Sequence, residues 1–185
     1  MDKRNIAIVA ASLLGACSRP AETNGTSNEP APAESAPVPL TPPAPGTQGG
    51  LPDDRTPLEE PNGPIDPKRA EAAGQAMQSY GALIEEKRFA EAAKLWGDPA
   101  AAAAFVDSFK TASEVHLQVG KPGDTEGAAG SIYVSVPVVL YGRLKSGGEF
   151  SRSGTANLRR VNDVDGSSEA QRRWHIAQID LQTGG

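Results

Sequence analysis

The sequence predicts an α+β domain, in which N-terminal helices pack on one face of a curved antiparallel sheet of four strands. Three stretches carry this prediction. Apolar residues fall at helical spacing from Ala72 to Ile84 and form one stripe along a helix. Residues 131–144 alternate with the period of a strand, and residues 149–162 return beside them. The apolar positions of the first of these strands are Ile132, Val134, Val136, Val138 and Leu140.

Composition divides the chain into two parts. Residues 18–67 hold 13 of the 16 prolines and few large apolar side chains, so they cannot bury enough surface to fold by themselves. We expect residues 17–66 to be a disordered tether without contacts, and residues 67–185 to form the single domain. The tether has eight acidic residues against two arginines, whereas the domain has 14 acidic and 14 basic residues. The balanced charge of the domain argues against nucleic-acid binding.

The N-terminus has the charge and hydropathy of an export signal. Charged residues 2–4 precede an apolar run, Ile6–Ala16, that is too short to span a bilayer. The run ends in Leu14-Gly15-Ala16-Cys17, and Cys17 is the only cysteine of the chain. This stretch resembles the lipobox of bacterial lipoprotein precursors, in which one apolar and two small residues precede an invariant cysteine.

The resemblance implies the fate of this segment. Residues 1–16 would be a signal peptide removed behind Ala16, and Cys17 would carry diacylglycerol and palmitate as the membrane anchor. Several acyl chains hold a protein on a membrane stably, unlike a single chain. Ser18 follows the cysteine in place of aspartate, which in the lipoprotein sorting rule implies delivery to the outer membrane, facing the periplasm.

Three helices are predicted before the sheet. The first begins at Asp66-Pro67, since aspartate is a favourable N-cap and proline is tolerated at the first helical position. A second, shorter helix spans residues 89–96. The same capping signal, Asp98-Pro99, begins a third helix that extends to residue 109.

Four strands follow, over residues 115–119, 131–144, 149–162 and 174–181. In the last strand the apolar positions change face near Ile176, which predicts a β-bulge. In the second strand, Pro137 has no amide hydrogen to donate, so it needs an outward-facing edge position or a bulge.

The turn chemistry and the apolar alternation predict the register of the central hairpin. A three-residue loop, Ser146-Gly147-Gly148, would be closed by Lys145 opposite Glu149. Every apolar pair then lies on one face, which a slip by one residue would mix. The predicted pairs are Leu144 with Phe150, Leu140 with Gly154, Val138 with Ala156, and Val136 with Leu158.

The order of these elements, together with residues 78–84 and 89–96, resembles a cone-shaped, cystatin-like superfamily. This superfamily is named after nuclear transport factor two and includes the ketosteroid isomerases and polyketide cyclases. Its members often have a first helix with a tyrosine, a polar break, and a helix of small residues ending in an aromatic. The resemblance covers about residues 68–182.

The resemblance also bears on catalysis. In the isomerase branch, a tyrosine of the first helix donates a hydrogen bond to the oxyanion, and aspartates supply the base and a second donor. Tyr80 stands where that tyrosine would be. The aspartate expected after the second helix has no counterpart, because residues 99–104 are one proline and five alanines. Isomerase activity is therefore not expected, and Tyr80 is either a ligand contact or a core residue.

No metal or cofactor site is expected. His116 and His175 fall on separate strands, without a nucleophile motif or a carboxylate spacing that would make either a metal ligand. Residues 163–169 are similar to a calcium-binding loop but lack its third acidic position, so a turn between strands is preferred.

A cluster of arginines is a second candidate site. Two pairs flank the connection between the last two strands and could hold a phosphate or a carboxylate. The alternative is that these arginines are solvated or paired with Asp163, Asp165 and Glu169. The arginines are Arg159, Arg160, Arg172 and Arg173.

Two functions from different classes remain open. The first is an envelope protein whose domain binds a small apolar ligand or a protein partner without turnover. The second is an isomerase-like or cyclase-like enzyme with a pocket near Tyr80. An acid–base cluster converging on the pocket would favour the enzyme, and because the sequence contains none we expect the binding protein.

The ligand would lie between the first helix and the concave sheet face, in a cavity that offers apolar surface and one phenolic donor. The expected lining is Tyr80, Trp96, Val134, Val136 and Leu158. If large side chains fill the cone instead, we expect binding on the outer sheet face around Tyr133, Val139 and Tyr141, most simply as a homodimer.

Overall fold

Helices precede the sheet in the part of the chain that the computed structural model describes, residues 40–54 and 63–182. The lipobox and Cys17 lie outside the described residues. The helices are α1 (Ala70–Glu85), α2 (Phe89–Ala92) with the 3₁₀ turn Ala93–Leu95, and α3 (Pro99–Asp107) with the 3₁₀ turn Ser108–Thr111. The strands are β1 (Ala112–Val119), β2 (Glu126–Ala128), β3 (Ser131–Leu144), β4 (Glu149–Val161) and β5 (His175–Leu181).

The sheet is antiparallel and has the order β1-β3-β4-β5. The α+β prediction is confirmed. A short strand that the sequence did not predict, β2, pairs with the first residues of β3 beside β1. It lies in the Gly/Ala-rich stretch before the hairpin, where no apolar alternation marks a strand. The described sheet therefore has five strands rather than four.

The helices cover the even-numbered face of the hairpin, as predicted. Val134, Val136 and Val138 of β3 belong to one core cluster with Ala156 and Leu158 of β4. Helix α1 contributes Ala73, Met77, Tyr80 and Ile84 to the same cluster. Because these side chains are buried together, the helical and strand periodicities of the sequence meet in a single core.

The predicted hairpin register is wrong by two residues. Val134 lies opposite Leu158, and Val136 lies opposite Ala156. The reason is that the three-residue loop sits one residue earlier, at residues 145–147, where Gly147 adopts φ +94°. A shift of two keeps every side chain on its face, so the apolar alternation could not distinguish the two registers. The other predicted pairs become Gly142 with Phe150, Val138 with Gly154, and Leu140 with Arg152.

Pro137 occupies a position where no partner strand needs its amide. Its carbonyl oxygen accepts a hydrogen bond from the Gly120 amide at 2.8 Å, just beyond the last paired residue of β1, Val119. In an antiparallel strand, the nitrogen and oxygen of one residue point to the same side. The missing hydrogen of Pro137 therefore faces the gap between β1 and β2, so Pro137 is accommodated inside the central strand β3 rather than at the predicted edge position or bulge.

Two capping predictions had different outcomes. Asp98 caps α3 as expected, with its carboxylate accepting from the Ala100 amide at 2.8 Å. Helix α1 begins at Ala70 rather than at Asp66-Pro67. Asp66 instead closes a separate turn, in which its side chain accepts from the Lys68 amide at 2.9 Å. The capping chemistry of Asp66 was correct, but it stabilises a turn before the helix.

The bulge predicted near Ile176 is confirmed. Leu158 of β4 pairs with Ile176, whereas the neighbouring Asn157 pairs with Gln178, so Ala177 is the extra residue. Ile176 is buried in the core. After the bulge, the alternation of β5 between the two faces of the sheet is shifted by one residue.

Part of the expected tether packs on the domain. Residues 40–54 lie against the outer face of the sheet, where they border a groove of about 390 Å³ with Pro137, Ser153 and Thr155. The Lys121 ammonium and the Asp54 carboxylate are 3.1 Å apart. The prediction of a contact-free segment is therefore wrong for this stretch. Its glycines and prolines form tight turns, and these turns fit an outer face that still needs covering.

No described helix is long and apolar enough to cross a membrane.

Candidate functional site

The residues expected to line a ligand cavity form the core instead. Tyr80, Val136 and Leu158 have no solvent exposure, and Val134 is 2% exposed. They belong to one cluster of buried side chains between α1 and the sheet. In the part of the chain described, these four side chains therefore fill the space that the sequence assigned to a ligand. Trp96, the fifth candidate, is also buried but reaches a cavity at its other side.

The Tyr80 hydroxyl lies in this core without a hydrogen-bond partner. Burial raises the pKa of Tyr80 to about 12, and the nearby Trp96 indole partly offsets the rise. The two groups do not reach hydrogen-bond geometry, and the Trp96 Nε1 atom is likewise left without a partner. Their rings meet edge to face, with centroids 6.2 Å apart. Tyr80 is thus a neutral core phenol at physiological pH.

A cavity of about 550 Å³ lies where the α2–α3 junction meets the ends of β4 and β5. The Gly97 amide donates to the Ile176 carbonyl at 3.0 Å, which fixes the junction against β5. The apolar part of the wall comes from Trp96, Val161 and Ile176. We call this the Trp96 cavity. Its remaining lining residues are Gly97, Asp98, Arg159, Arg160, Ala170, Gln171, His175 and Ala177.

Three lining residues of the Trp96 cavity each have a buried nitrogen without a hydrogen-bond partner. These atoms are Trp96 Nε1, Arg160 Nη1 and His175 Nδ1. Buried polar atoms in proteins nearly always have partners, so each of these atoms calls for an explanation. Trp96 Nε1 lies beside the Tyr80 hydroxyl on the core side, whereas a ligand with polar atoms would satisfy Arg160 Nη1 and His175 Nδ1.

Arg160 is held in place by its other nitrogens. Its Nε donates to the Arg172 carbonyl at 2.8 Å, and its Nη2 donates to the Asp163 carboxylate at 2.9 Å. Asp163 also pairs with Lys68 at 2.8 Å. The Lys68 ammonium and the Arg160 guanidinium lower the pKa of Asp163 below its usual value. Arg160 is 2% exposed, so its guanidinium is a rigid, buried cation.

The four candidate arginines do not converge on one point. Arg159 and Arg160 are neighbours on β4 and project to opposite faces of the sheet; Arg159 Nε donates to the Ser131 hydroxyl at 3.0 Å. Arg172 donates to Ser167, and Arg173 pairs with Glu169 at 3.0 Å. Only Arg159 and Arg160 border the Trp96 cavity.

A wider groove of about 870 Å³ runs beside β1. It contains His116, whose Nε2 lies 2.8 Å from Glu114 Oε1 and whose Nδ1 lies 3.3 Å from Glu85 Oε1. The imidazole also stacks on Tyr141, with centroids 5.1 Å apart. Burial and the carboxylates of Glu85 and Glu114 raise the pKa of Tyr141. Because both nitrogens of His116 are engaged, this cluster does not present a free base to the groove.

No group of three or more potential metal-ligating side chains is close enough to bind a metal ion within residues 40–54 and 63–182. The stretch 163–169 forms a turn, closed by a hydrogen bond from the Ser167 amide to the Val164 carbonyl at 3.1 Å. The Asp163 carboxylate forms ion pairs with Lys68 and Arg160.

The sequence contained one signal for the Trp96 cavity that our prediction did not use. Ala156, Leu158 and Arg160 are alternate residues of β4, so Arg160 continues the core-facing row. A charged residue in such a row must be paired or functional. His175 carried no comparable signal, because its role depends on the bulge and on the fold of the preceding loop.

Comparisons with known proteins return structures of similar architecture only. No protein-family model matches the chain, and no curated protein matches it significantly. A nuclear transport factor 2-like superfamily protein from Salmonella enterica has 11% identity and a TM-score of 0.44. The match covers 62% of this chain and 93% of that one.

Two further solved structures are similar to this chain at the same level. The β subunit of a candidate aromatic-ring-hydroxylating dioxygenase from Novosphingobium aromaticivorans has 13% identity and a TM-score of 0.42, over 62% of this chain and 90% of that one. Aln2 from a Streptomyces species has 12% identity and a TM-score of 0.40, over 60% and 88%.

Proposed function

We propose that this chain is a lipid-anchored protein of the bacterial cell envelope whose domain binds a small, partly apolar ligand without turning it over. The observation that carries the binding role is the Trp96 cavity, with its apolar wall and the unpartnered nitrogens of Arg160 and His175. Such a combination, apolar surface with a few polar groups, is typical of small-molecule sites.

The state of the ionisable groups supports binding rather than turnover. Tyr80 is closed into the core, and its pKa of about 12 makes it a poor proton donor at neutral pH. His116 has a carboxylate on each ring nitrogen. His175 uses its Nε2 on the Ala170 carbonyl at 2.8 Å. An acid–base mechanism needs two groups that exchange protons with the substrate, and these groups do not offer that pair. The isomerase-like alternative would require the Tyr80 hydroxyl to contact the substrate, whereas Tyr80 is buried in the core.

The homodimer alternative is less well supported. Val139, at the centre of the proposed outer-face surface, has no solvent exposure within the single chain. Residues 40–54 border part of the same face. A second copy would therefore meet Tyr133 and Tyr141 only at their half-buried rings.

The ligand role can be tested on the full chain carrying Cys17→Ala, which avoids lipid and detergent. Two naphthalene probes, 2-naphthoate and its neutral analogue 2-naphthamide, are titrated by calorimetry. We expect at least one to bind, and we expect Ala170→Trp to weaken it by about tenfold or more by filling the cavity. Ala128→Trp, at an exposed alanine of β2 outside the cavity, is the matched control. If neither probe binds, or if both variants bind equally, the cavity is not a ligand site.

The anchor is tested separately in cells. Replacing Cys17 by alanine should move the protein from the membrane to the soluble periplasmic fraction, because we propose that the acyl chains are its attachment. A Ser18→Ala variant keeps the cysteine and should stay with the membrane. If the Cys17→Ala protein remained in the membrane fraction, another part of the chain would be the anchor.

A further inference from the structure

We infer that the Trp96 cavity takes a small organic acid, and that Arg160 binds its single carboxylate group. This inference rests on the proposed function, since it names the ligand class of the same cavity.

The guanidinium of Arg160 has one nitrogen free to bind a ligand. Two of its three nitrogens have protein partners, Arg172 and Asp163, whereas Nη1 has none. A charged donor that is buried without a partner costs free energy that an acceptor would recover. A carboxylate oxygen is the strongest such acceptor, because both partners of the hydrogen bond are then charged.

His175 adds a second polar group. The Ala170 carbonyl can only accept, so His175 donates to it from Nε2, and the tautomer with a single hydrogen leaves Nδ1 as an acceptor. The Trp96 N–H lies beside the Tyr80 hydroxyl on the core side and is not a donor to the cavity. The cavity therefore offers one charged donor for a carboxylate and one acceptor for a hydroxyl or amide on the body of the same ligand.

The charge balance favours a monoanion. Asp98 borders the cavity with Arg160, while Asp163 and Lys68 lie behind Arg160. The Arg159 side chain projects to the opposite face of the sheet and is not counted. Two basic groups thus balance two acidic groups, and every negative charge of a ligand adds repulsion from Asp163. A phosphate dianion would place two negative charges close to Asp163, whereas a carboxylate places one.

Access requires a small movement of the wall. The unpartnered nitrogens of Arg160 and His175 are closed off from solvent, although both residues border the cavity. Ala170 and Gln171 lie in the exposed loop before β5 and form one side of the wall. Displacement of this loop would open the way to Arg160 Nη1 and would break the hydrogen bonds of the Gln171 carbonyl with the Val161 amide and of the Ala170 carbonyl with His175.

The test compares 2-naphthoate with 2-naphthamide on the full chain carrying Cys17→Ala. We expect the acid to bind about tenfold more tightly than the amide. Arg160→Gln should remove this preference while the amide still binds, which shows that the variant is folded. Arg159→Gln, the neighbouring arginine on the same cavity, should keep the preference within about twofold.

Equal binding of acid and amide to the unmodified cavity would overturn the inference and leave the proposed function standing. A preference that persists in Arg160→Gln, or that is lost in Arg159→Gln, would also overturn it. Absence of both probes from the cavity would overturn the two proposals together.

Discussion

Leu144 and Gly148 close the central hairpin. The Leu144 amide donates to the Gly148 carbonyl at 2.7 Å, and the Leu144 carbonyl accepts from the Gly147 amide at 2.9 Å. Gly147 has φ +94° and therefore occupies the left-handed position of a three-residue loop. The conformation of this one glycine sets the register of the hairpin, because each pair of β3 and β4 is counted from the loop.

Substitution of Gly147 should consequently cost more than substitution of its neighbour. We expect Gly147→Ala to lower the free energy of unfolding by about 1 kcal/mol, since an L-residue is strained in the left-handed region. Gly148→Ala is the matched control; its Cβ would lie 3.8 Å from Leu144 Cδ1, an ordinary contact. Urea unfolding of both variants measures the difference. Equal costs at the two positions would contradict the assignment of Gly147 to the left-handed position.

The hairpin shows how far the sequence could predict the fold. Alternation along β3 and β4 identifies the strands and the core-facing side, because burial selects one parity. It cannot choose between registers two residues apart, because both place the same side chains on the core face. The predicted start of α1 was wrong for a related reason, since Asp66 and Pro67 suit a turn as well as a helix N-terminus. Local chemistry was correct in both cases, and tertiary context decided its position.

The candidate site was less predictable than the fold. Tyr80, Val134, Val136 and Leu158 were assigned to the correct side of the sheet, but apolar residues there serve a core as well as a cavity. The Trp96 cavity depends on the bulge at Ala177 and on the loop before β5. Neither the bulge nor the loop produces a periodic pattern of residues in the sequence. Contacts that depend on irregular backbone therefore cannot be predicted from periodicity.

Residues 40–54 should contribute to stability, although their composition is that of a linker. A chain lacking residues 1–54 should be less stable than one lacking residues 1–39, by about 1–3 kcal/mol, because Pro137 and the outer sheet face lose apolar cover. The Lys121–Asp54 pair adds little at its exposed position. Thermal or urea unfolding of the two truncations measures the contribution. Equal stabilities would show that the segment rests on the sheet without stabilising it.

The buried hydroxyl of Tyr80 should determine part of the behaviour at alkaline pH. Its pKa is about 12 in the folded chain, raised by burial from the ordinary value of 10.0. Between these values the unfolded chain loses the phenolic proton and the folded chain keeps it. The stabilisation is therefore complete below pH 10 and is lost as the pH rises through 12, by about 2–3 kcal/mol in total.

Tyr80→Phe should flatten this alkaline loss while leaving stability at pH 7 within about 1 kcal/mol, because the hydroxyl it removes has no hydrogen-bond partner. Tyr141→Phe is the control: Tyr141 is half-buried and its pKa is raised too, by burial and by Glu85 and Glu114, but Tyr80 keeps its own contribution in that variant. Unfolding free energies measured from pH 9 to pH 12 separate the two variants. A large loss for Tyr80→Phe at pH 7 would mean that its hydroxyl has a partner, and an unchanged slope above pH 10 would mean that the phenol is accessible to solvent.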